Sequence, residues 1–448
     1  MKKTLMLTAL IASVNVYAGS IDYLAQQDAE YFAHASMTGK IGTSGAFYNP
    51  AGTAFMEDGL YVKVNTQTVF KNYTMNTDYK GIPGFTDNVK GKHDSDYPSV
   101  MVPSIQIVKK DGDRSYFLHG GIAAGGGSLK YNNGISAFEV IGEGIQGIFR
   151  QEQIKLGESP EATVEYLGGS KVKGSSFYYN LNLGMAQKLN EKFSVAGGVR
   201  FIYATRALEG TGHFGLDLDG QGNIPQQNVD VTIDSEREAY GIGWLVGFNY
   251  KPIEKLNIGF KYESEIKLDF EAKNGMNGLK VNSPIKEEDI YGSLAKNPIV
   301  SEWLVDGYRN LPAMMSLGIS YDVNDRLTLL TSGNYYFIED ANDSNAYAHY
   351  TNGYEASVGF DYKLNEQYTL MAGYQYTNTG ANEDTYKDTD YALDAHMYSI
   401  GLKYTPNETR TYTIAYSYVD YIDGTSKEHG TRFEKQVHAI GLAAEFKL

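Results

Sequence analysis

Residues able to carry out chemistry are thinly spread along this 448-residue sequence. Its eight histidines include no two at the spacing that puts metal ligands on one strand or helix, and no Ser/His/Asp set falls in a recognisable motif. The chain contains no cysteine, which excludes disulfides and thiolate metal sites. We therefore expect no enzyme activity, no cofactor and no metal site.

A ladder of charges is the clearest candidate for a binding site. Lys261, Glu263, Glu265 and Lys267 alternate along the chain and are expected to share the inner face of one strand, and Arg200 is expected to point inward from a strand over 193–207. A cation at either place could bind the carboxylate of a ligand. Opposite charges in a ladder also pair with neighbouring strands and stiffen a wall. The sequence leaves both interpretations of Lys261 and Arg200 open.

Two long polar stretches carry apolar residues that predict a lid over a capture groove. The stretch 130–175 has apolar residues at helix-like spacing, among them Phe138 and Ile141, and the stretch 271–311 contains Trp303 and Leu304. These four are the predicted ligand contacts. The alternative is that the same residues pack on each other, because apolar loop residues must be buried somewhere whatever the function.

The elements that must position these residues are strands with period-two alternation. Leu256, Ile258, Phe260 and Tyr262 alternate with polar residues, and Leu60 to Phe70 shows the same pattern with Lys63, Asn65 and Gln67 on the opposite face. The 37 tyrosines and 49 glycines are typical of membrane β-barrels, in which Tyr collects at the two interfaces. The pattern predicts strands whose apolar faces point outward into lipid.

Connection lengths predict how many strands there are. Six short turns, near 111–113, 190–192, 252–254, 324–325, 365–366 and 406–408, are interleaved with seven longer polar loops, near 71–98, 130–175, 208–236, 271–311, 339–353, 379–392 and 422–434. This arrangement implies an all-β fold, a 14-stranded antiparallel transmembrane β-barrel in the outer membrane of a Gram-negative cell, with its short turns in the periplasm.

The first 59 residues do not read as barrel strands. Residues 1–18 have the charge, apolar run and small residues of a signal peptide, whose removal with Lys2 and Lys3 would take the net charge from −15 to −17. Such an acidic chain is a poor partner for nucleic acid. Residues 19–59 are too few to bury a core of their own, so we expect them to form a hatch that plugs the lumen of the barrel over 60–448. A flexible periplasmic tail is the alternative.

Three segments together resemble the FadL family of outer-membrane transporters for long-chain fatty acids and aromatic hydrocarbons. Phe47-Tyr48-Asn49-Pro50-Ala51-Gly52 is similar to the hatch motif of that family, in which Phe47, Asn49, Pro50 and Ala51 are the matching positions. The segment 251–270 looks like its central turn and strand, and the segment 311–319 resembles the stretch that re-enters the barrel after the fourth outer loop. The order and spacing of the three carry the resemblance over nearly all of the mature chain.

The resemblance implies that substrate leaves sideways into the membrane through a gap at a kinked third strand. The third strand of this chain, expected over 115–129, is rich in glycines, namely Gly120, Gly121, Gly125, Gly126 and Gly127. Glycine weakens a strand interior and marks bulges and bends, so a break in the wall is physically reasonable here. The glycines could instead relieve crowding where the wall curves around the hatch.

The function that follows is passive uptake of long-chain fatty acids or other small hydrophobic molecules, captured at the outer loops, passed beside the hatch and released laterally. The implied partners are that substrate, outer-membrane lipid and the barrel assembly machinery during biogenesis, and the family resemblance implies a monomer. Two rival functions are a polar-solute porin and a surface adhesin or receptor that uses acidic loops such as 217–234.

Overall fold

A computed structural model describes residues 28–79, 89–222, 227–282, 304–341, 348–388, 390–427 and 430–448. The predicted signal peptide and residues 19–27 of the predicted hatch lie outside the described residues. No helix within the described ranges is both long enough and apolar enough to cross a membrane.

Fourteen long antiparallel strands form a closed barrel, as the sequence predicts. They are β1 (Gly59–Tyr79), β2 (Ser99–Asp111), β3 (Arg114–Tyr131), β4 (Lys171–Asn190), β5 (Phe193–Asp217), β6 (Gln227–Ile253), β7 (Leu256–Glu263), β8 (Ala313–Asp322), β9 (Leu327–Phe337), β10 (Gly353–Lys363), β11 (Tyr368–Asn378), β12 (Ala395–Asn407), β13 (Arg410–Tyr421) and β14 (Arg432–Lys447). The barrel closes where β1 pairs with β14, from Tyr61 opposite Lys447 to Asn76 opposite Arg432.

The six short turns fall where the sequence places them, but several outer loops are shorter than expected. β5 and β6 continue as a paired ribbon to Asp217 and from Gln227, so most of the predicted loop 208–236 is strand. The remaining connections contain α1 (Ser136–Lys155), short strands and one-turn 3₁₀ helices. The short elements are the strands Val89–Ser95, Thr163–Tyr166, Asp269–Ala272, Leu279–Asn282, Gly307–Tyr308 and Gly424–Thr425, with the 3₁₀ helices Gly275–Gly278 and Glu339–Ala341.

The two faces of each strand differ in the way the alternation predicts. Lys63, Asn65 and Gln67 of β1 are buried in the lumen, whereas Val64 and Phe70 are exposed on the outer surface. Aromatic side chains stack on that outer surface. Phe177 stacks on Tyr179 along β4, and Tyr179, Tyr203 and Tyr240 form a row across β4, β5 and β6. An outer surface of apolar residues with aromatic rows is the surface that a membrane barrel presents to lipid.

Residues 28–58, called the hatch segment below, lie inside the barrel ahead of β1. The segment forms three 3₁₀ helices, Ala29–Phe32, Thr43–Ala46 and Pro50–Phe55, with almost all of its residues buried before Phe55. Its side chains and backbone bond to strands on opposite sides of the lumen, among them β1, β5, β6 and β10. The segment therefore borrows its core from the barrel wall.

Candidate functional site

The predicted hatch motif contains the N-terminus of a 3₁₀ helix that packs against the barrel wall. Asn49 is the N-cap of the third 3₁₀ helix and accepts a hydrogen bond from the Gly52 N–H, and Pro50 occupies the first helical position, where no N–H is needed. Asn49 Nδ2 donates to Asn249 Oδ1 of β6 at 2.7 Å, and Ala51 O accepts from Ser194 Oγ of β5 at 2.7 Å. The motif fixes the position of Phe47, two residues upstream.

Buried ion pairs tie the beginning of the hatch segment to the wall. Lys63 Nζ of β1 lies 2.9 Å from Asp28 Oδ2 and 3.0 Å from Glu30 Oε1, and Glu30 also contacts Lys40 at 3.0 Å and Lys403 at 2.8 Å. Burial alone would raise the pKa of Glu30, but attraction to Lys40, Lys403 and Lys63 holds that pKa well below its ordinary value. Glu30 is therefore charged and bound by three lysines.

Wall glycines let the backbone of the hatch segment touch the strands directly. A Cβ added to Gly259 of β7 would come closer than 3.0 Å to Thr38 O, and one added to Gly318 of β8 would come that close to Gly39 N. A Cβ on Gly373 of β11 would meet His34 in the same way. These glycine contacts leave no space for a side chain between hatch segment and wall on this side of the lumen.

Phe47 lies among polar and charged lumenal residues of β3, β5 and β7. Its ring is 4.8 Å from the His119 ring and 4.1 Å from Lys261 Nζ, and Lys261 Nζ donates to Phe47 O at 2.8 Å. Glu263 accepts from Lys261 at 2.8 Å and lies 3.1 Å from Arg200 Nη1. The lumen thus brings together Phe47, Arg200 and Lys261, three of the predicted site residues.

The pairing explains Lys261 and Arg200 only in part. Both side chains pair with Glu263, as predicted for a ladder of opposite charges. Two cations share this one carboxylate, so the three residues together carry more positive than negative charge. The prediction for Glu265 and Lys267 is wrong, because β7 ends at Glu263 and the chain turns so that Ile266 and Leu268 are buried while Lys267 is exposed.

The barrel wall is interrupted between β2 and β3. Their pairing runs from Asp111 opposite Arg114 to Ile105 opposite Gly120 and goes no further, although β2 continues to Ser99 and β3 to Tyr131. We call this unpaired stretch, residues 99–104 facing 121–127, the wall break. The predicted third strand is therefore present and loses its neighbour at the predicted glycines.

The glycines of β3 lie where its register changes. Its pairing with β4 shifts between Ile122 and Ala124 and again between Gly125 and Gly127, which marks two bulges. Gly125 has φ +75°, and a Cβ there would come closer than 3.0 Å to Ser176 O. A residue other than glycine is thus strained at this bulge.

Among the buried residues that the structure describes, one apolar contact crosses the wall break. Val102 of β2 packs against Ile122 of β3, each less than 10% exposed, and Phe177 of β4 covers the pair. Met101 beside it has φ +59°, a conformation that costs an unbranched side chain about 1 kcal/mol or more. The β2 side of the break was not predicted from the sequence, although Pro103, which cannot donate to a ladder, is the kind of residue that marks a strand edge.

Two apolar clusters lead from the outer loops to the hatch segment. The outer cluster contains α1 residues such as Ile141 together with Leu304, both fully or nearly fully buried, and the hatch cluster contains Tyr31, Phe47 and Tyr48. Leu129 and Tyr421 pack against both clusters and so connect them. The side chain of Phe138 and the whole of Trp303 lie outside what the structure describes.

Comparison with known proteins places the chain in a family. Residues 161–448 match the model of the outer membrane protein transport protein family (OMPP1/FadL/TodX). Outer membrane protein P1 of Haemophilus influenzae is 25% identical over 293 residues, 60% of this chain and 61% of that protein, so the match spans less than two thirds of that relative. The long-chain fatty acid transport protein of Shigella flexneri is 24% identical over 65% of this chain and 71% of its own.

Solved structures agree with that assignment at the level of the fold. A Pseudomonas aeruginosa FadL homologue superposes with a TM-score of 0.64 at 17% identity, covering 96% of this chain and 99% of its own. The P. putida toluene transporter TodX gives a TM-score of 0.60 at 14% identity, covering 91% and 94%. The family match over most of the chain, with a closed fourteen-stranded barrel, identifies this protein as an outer-membrane β-barrel of the OMPP1/FadL/TodX family of transport proteins.

Proposed function

We propose that this protein carries long-chain fatty acids or other small hydrophobic molecules passively from the outer loops to the wall break and releases them there into the membrane. The wall break beside Phe47 is the observation that carries the proposal. The relatives are named as transporters of fatty acids and of toluene, which supports a hydrophobic substrate.

The interior of the barrel favours a lateral exit over a straight passage. Straight passage would require the hatch segment to leave its glycine contacts and its buried ion pairs, and breaking one buried pair costs about 3–5 kcal/mol. The outer and hatch clusters provide an apolar route down to Phe47. Each Å² of apolar surface kept out of water is worth roughly 25 cal/mol, so a tail that follows this route into lipid avoids a large penalty.

A reversible bridge across the wall break tests this function. The chain has no cysteine, so the pair Val102→Cys and Ile122→Cys would carry its only thiols, on side chains that touch. We expect cells that depend on this protein for oleate uptake to lose that uptake when the bridge is oxidised and to regain it on reduction, with bridge formation checked by mass.

The matched control joins two strands that are already paired. Leu402→Cys with Ile414→Cys would link β12 to β13 at opposite positions far from the wall break, and its oxidation should leave uptake unchanged. Undiminished uptake through the bridged Val102/Ile122 variant would refute lateral release. Oleate uptake that does not depend on this protein at all would refute the transport function for fatty acids.

A further inference from the structure

The lumenal face of β4 carries a row of buried polar groups that bond to none of the described residues. Ser176, Tyr178, Asn180 and Asn182, called the β4 polar row below, are each at most 7% exposed. The hydroxyls of Ser176 and Tyr178 and both amide atoms of Asn180 and Asn182 have no hydrogen-bond partner among the described residues. Arg200 Nε, on the adjacent strand opposite Asn182, also has no hydrogen-bond partner among the described residues.

The two asparagines of this row differ from the lumenal asparagines of other strands, although single hydroxyls such as those of Ser399 and Ser417 also lack a partner in the described part of the chain. Asn249 and Asn257 bond to each other at 2.6 and 2.9 Å, Asn65 donates to Gln106 at 2.7 Å, and Asn49 bonds to Asn249. A buried polar group left without a partner costs about 1–3 kcal/mol, and native proteins contain few. A run of such groups on one strand indicates that something other than the described residues satisfies them.

The β4 polar row runs from beside the Phe47 site along the stretch of β3 that borders the wall break. Its lower end, Asn182, is opposite His119 on one side and Arg200 on the other. Higher up, Asn180 is opposite Gly121, Tyr178 opposite Ala124 and Ser176 opposite Gly127. Only β3 separates the row from the wall break, and the β3 residues opposite Asn180, Tyr178 and Ser176 are small, namely Gly121, Ala124 and Gly127.

We propose that the β4 polar row binds the oxygen-bearing head group of an amphipathic molecule, a carboxylic acid or an alcohol, and guides it from Arg200 to the wall break. This inference rests on the proposed function and narrows its substrate class. The amides of Asn180 and Asn182 both donate and accept, which suits an acid or a hydroxyl. Arg200 and Lys261 against Glu263 give the lower end an excess of positive charge, which favours a carboxylate.

The row would solve a problem specific to amphipathic substrates. A tail can follow the apolar hatch cluster and the Val102–Ile122 contact, but a head group on the same route would lose its hydrogen bonds with water at a cost of a few kcal/mol. Successive groups along β4 replace those bonds step by step. A pure hydrocarbon gains nothing from them, so the row makes the barrel selective for molecules with a polar head.

Three probes of one chain length and a paired substitution test the inference. Oleic acid, oleyl alcohol and 1-octadecene each have eighteen carbons, and only the first two carry a polar head. Their binding to the purified full-length protein can be measured with radiolabelled ligand in detergent. Asn180→Leu with Asn182→Leu removes amides that bond to no described residue, so no partner loses a hydrogen bond and folding should be preserved. We expect binding of the acid and the alcohol to weaken at least tenfold, with 1-octadecene unchanged.

Controls separate head-group recognition from damage to the barrel. Asn72→Leu makes the same change on an exposed position of β1 and should alter no affinity. Tyr178→Phe removes one hydroxyl without changing the shape of the side chain and should weaken binding of the alcohol and the acid by a smaller factor. A folded barrel shifts its gel mobility between unheated and heated samples. If the double variant shows no such shift, Tyr178→Phe is the test.

Equal binding of all three probes by the double variant and the unaltered protein would overturn the inference, because the row would then be only a hydrated wall. Unaltered protein that binds 1-octadecene as tightly as oleic acid would also overturn it. A different result would refute the proposed function alone. In that case cells lacking the protein would take up oleate at the normal rate, while the purified protein would still bind oleic acid more tightly than 1-octadecene.

Discussion

Glu30 carries the densest set of ionic contacts between the hatch segment and the wall. Three lysines lie within 3.0 Å of its carboxylate, one from the segment itself and two from β1 and β12. Replacing one member of a buried ion network leaves the others without compensation, which typically costs about 3–5 kcal/mol. Glu30 should therefore decide how firmly the segment is held.

Glu30→Gln is expected to loosen the hatch segment without unfolding the barrel. Backbone hydrogen exchange over residues 28–40 should become on the order of 100-fold faster, as a loss of about 3 kcal/mol requires. Glu366→Gln, in an exposed short turn, is the matched control and should change nothing. Unaltered exchange in Glu30→Gln would mean that the glycine contacts alone hold the segment.

The same network predicts how attachment depends on pH. The pKa of Glu30 is lowered, so its contribution is present above about 4.5, the ordinary value, and is lost as pH falls through the lowered pKa. The pKa of Lys40 is raised, since Asp361 and Glu30 outweigh its burial, so its contribution is present below 10.5 and is lost as pH rises through the raised pKa. The segment should be held best between these limits.

A spin label on Ile41→Cys can measure that window. Label mobility should be lowest between about pH 4.5 and 10.5 and should rise on the acid side, and the acid rise should shrink in Glu30→Gln because that variant has already lost the titrating group. An identical acid response in both proteins would assign the effect to other carboxyl groups.

For single residues, the sequence predicts whether a side chain points into the lumen, but it does not predict the hydrogen-bond partners of that side chain. Alternation places Arg200 and Lys261 in the lumen, which the structure confirms, but the hydrogen-bond partners of Asn180 and Asn182 depend on side chains from neighbouring strands. No pattern along one strand distinguishes an asparagine that meets another asparagine across the lumen from one that meets none.

Among the strands, β3 determines the shape of the wall beside the hatch segment. Its glycines permit two bulges, and the pairing with β2 ends at Gly120. Side chains that refill the bulge should straighten the strand or push it away from β4. The bulge is therefore the place where a small substitution should change the exit.

Gly125→Val places a β-branched side chain at φ +75° and brings its Cβ closer than 3.0 Å to Ser176 O. We expect a loss of about 1–3 kcal/mol in stability and a clear fall in oleate uptake, measured by denaturation and by labelled-substrate assays. Gly174→Val, at a strand glycine whose added Cβ meets nothing within 4 Å, is the control. Normal uptake by Gly125→Val would show that the bulge is not needed for the exit.

Strand existence was predictable and strand length was not. Membrane thickness suggests strands of about ten residues, which is why the segments beyond 207 and before 237 are expected as loop. Val229, Val231 and Ile233 alternate with polar residues, and the structure buries all three under the outer loops. Here the apolar face of the strand packs against protein and not against lipid. Period-two alternation predicts an apolar face but does not show which of the two covers it.

For the molecule as a whole, the filled lumen separates a hydrophobic-substrate channel from a porin. With the hatch segment in contact with strands around the lumen, we expect the protein in planar lipid bilayers to show no large, stable ion conductance. A porin of known conductance reconstituted in parallel provides the control. A large open-channel current from the unaltered protein would favour the polar-solute rival.

The architecture as a whole was the most predictable level, because turn positions and strand count follow from local polarity repeated fourteen times. The hatch segment was predictable as a non-strand with too few residues for its own core. Its close fit was not, since it depends on glycines as far apart in sequence as Gly259 and Gly441 that face the lumen at related heights.

That close fit has a consequence for how the chain folds. A Cβ on Gly441 of β14 would come closer than 3.0 Å to Ala29 Cα, and β14 is the strand that meets β1 at closure. Because the contacts between segment and wall are this close, we expect residues 28–58 to lie between the strands before β14 pairs with β1. The hatch segment would then act as a template for folding as well as occupying the lumen, and the strands would assemble around it.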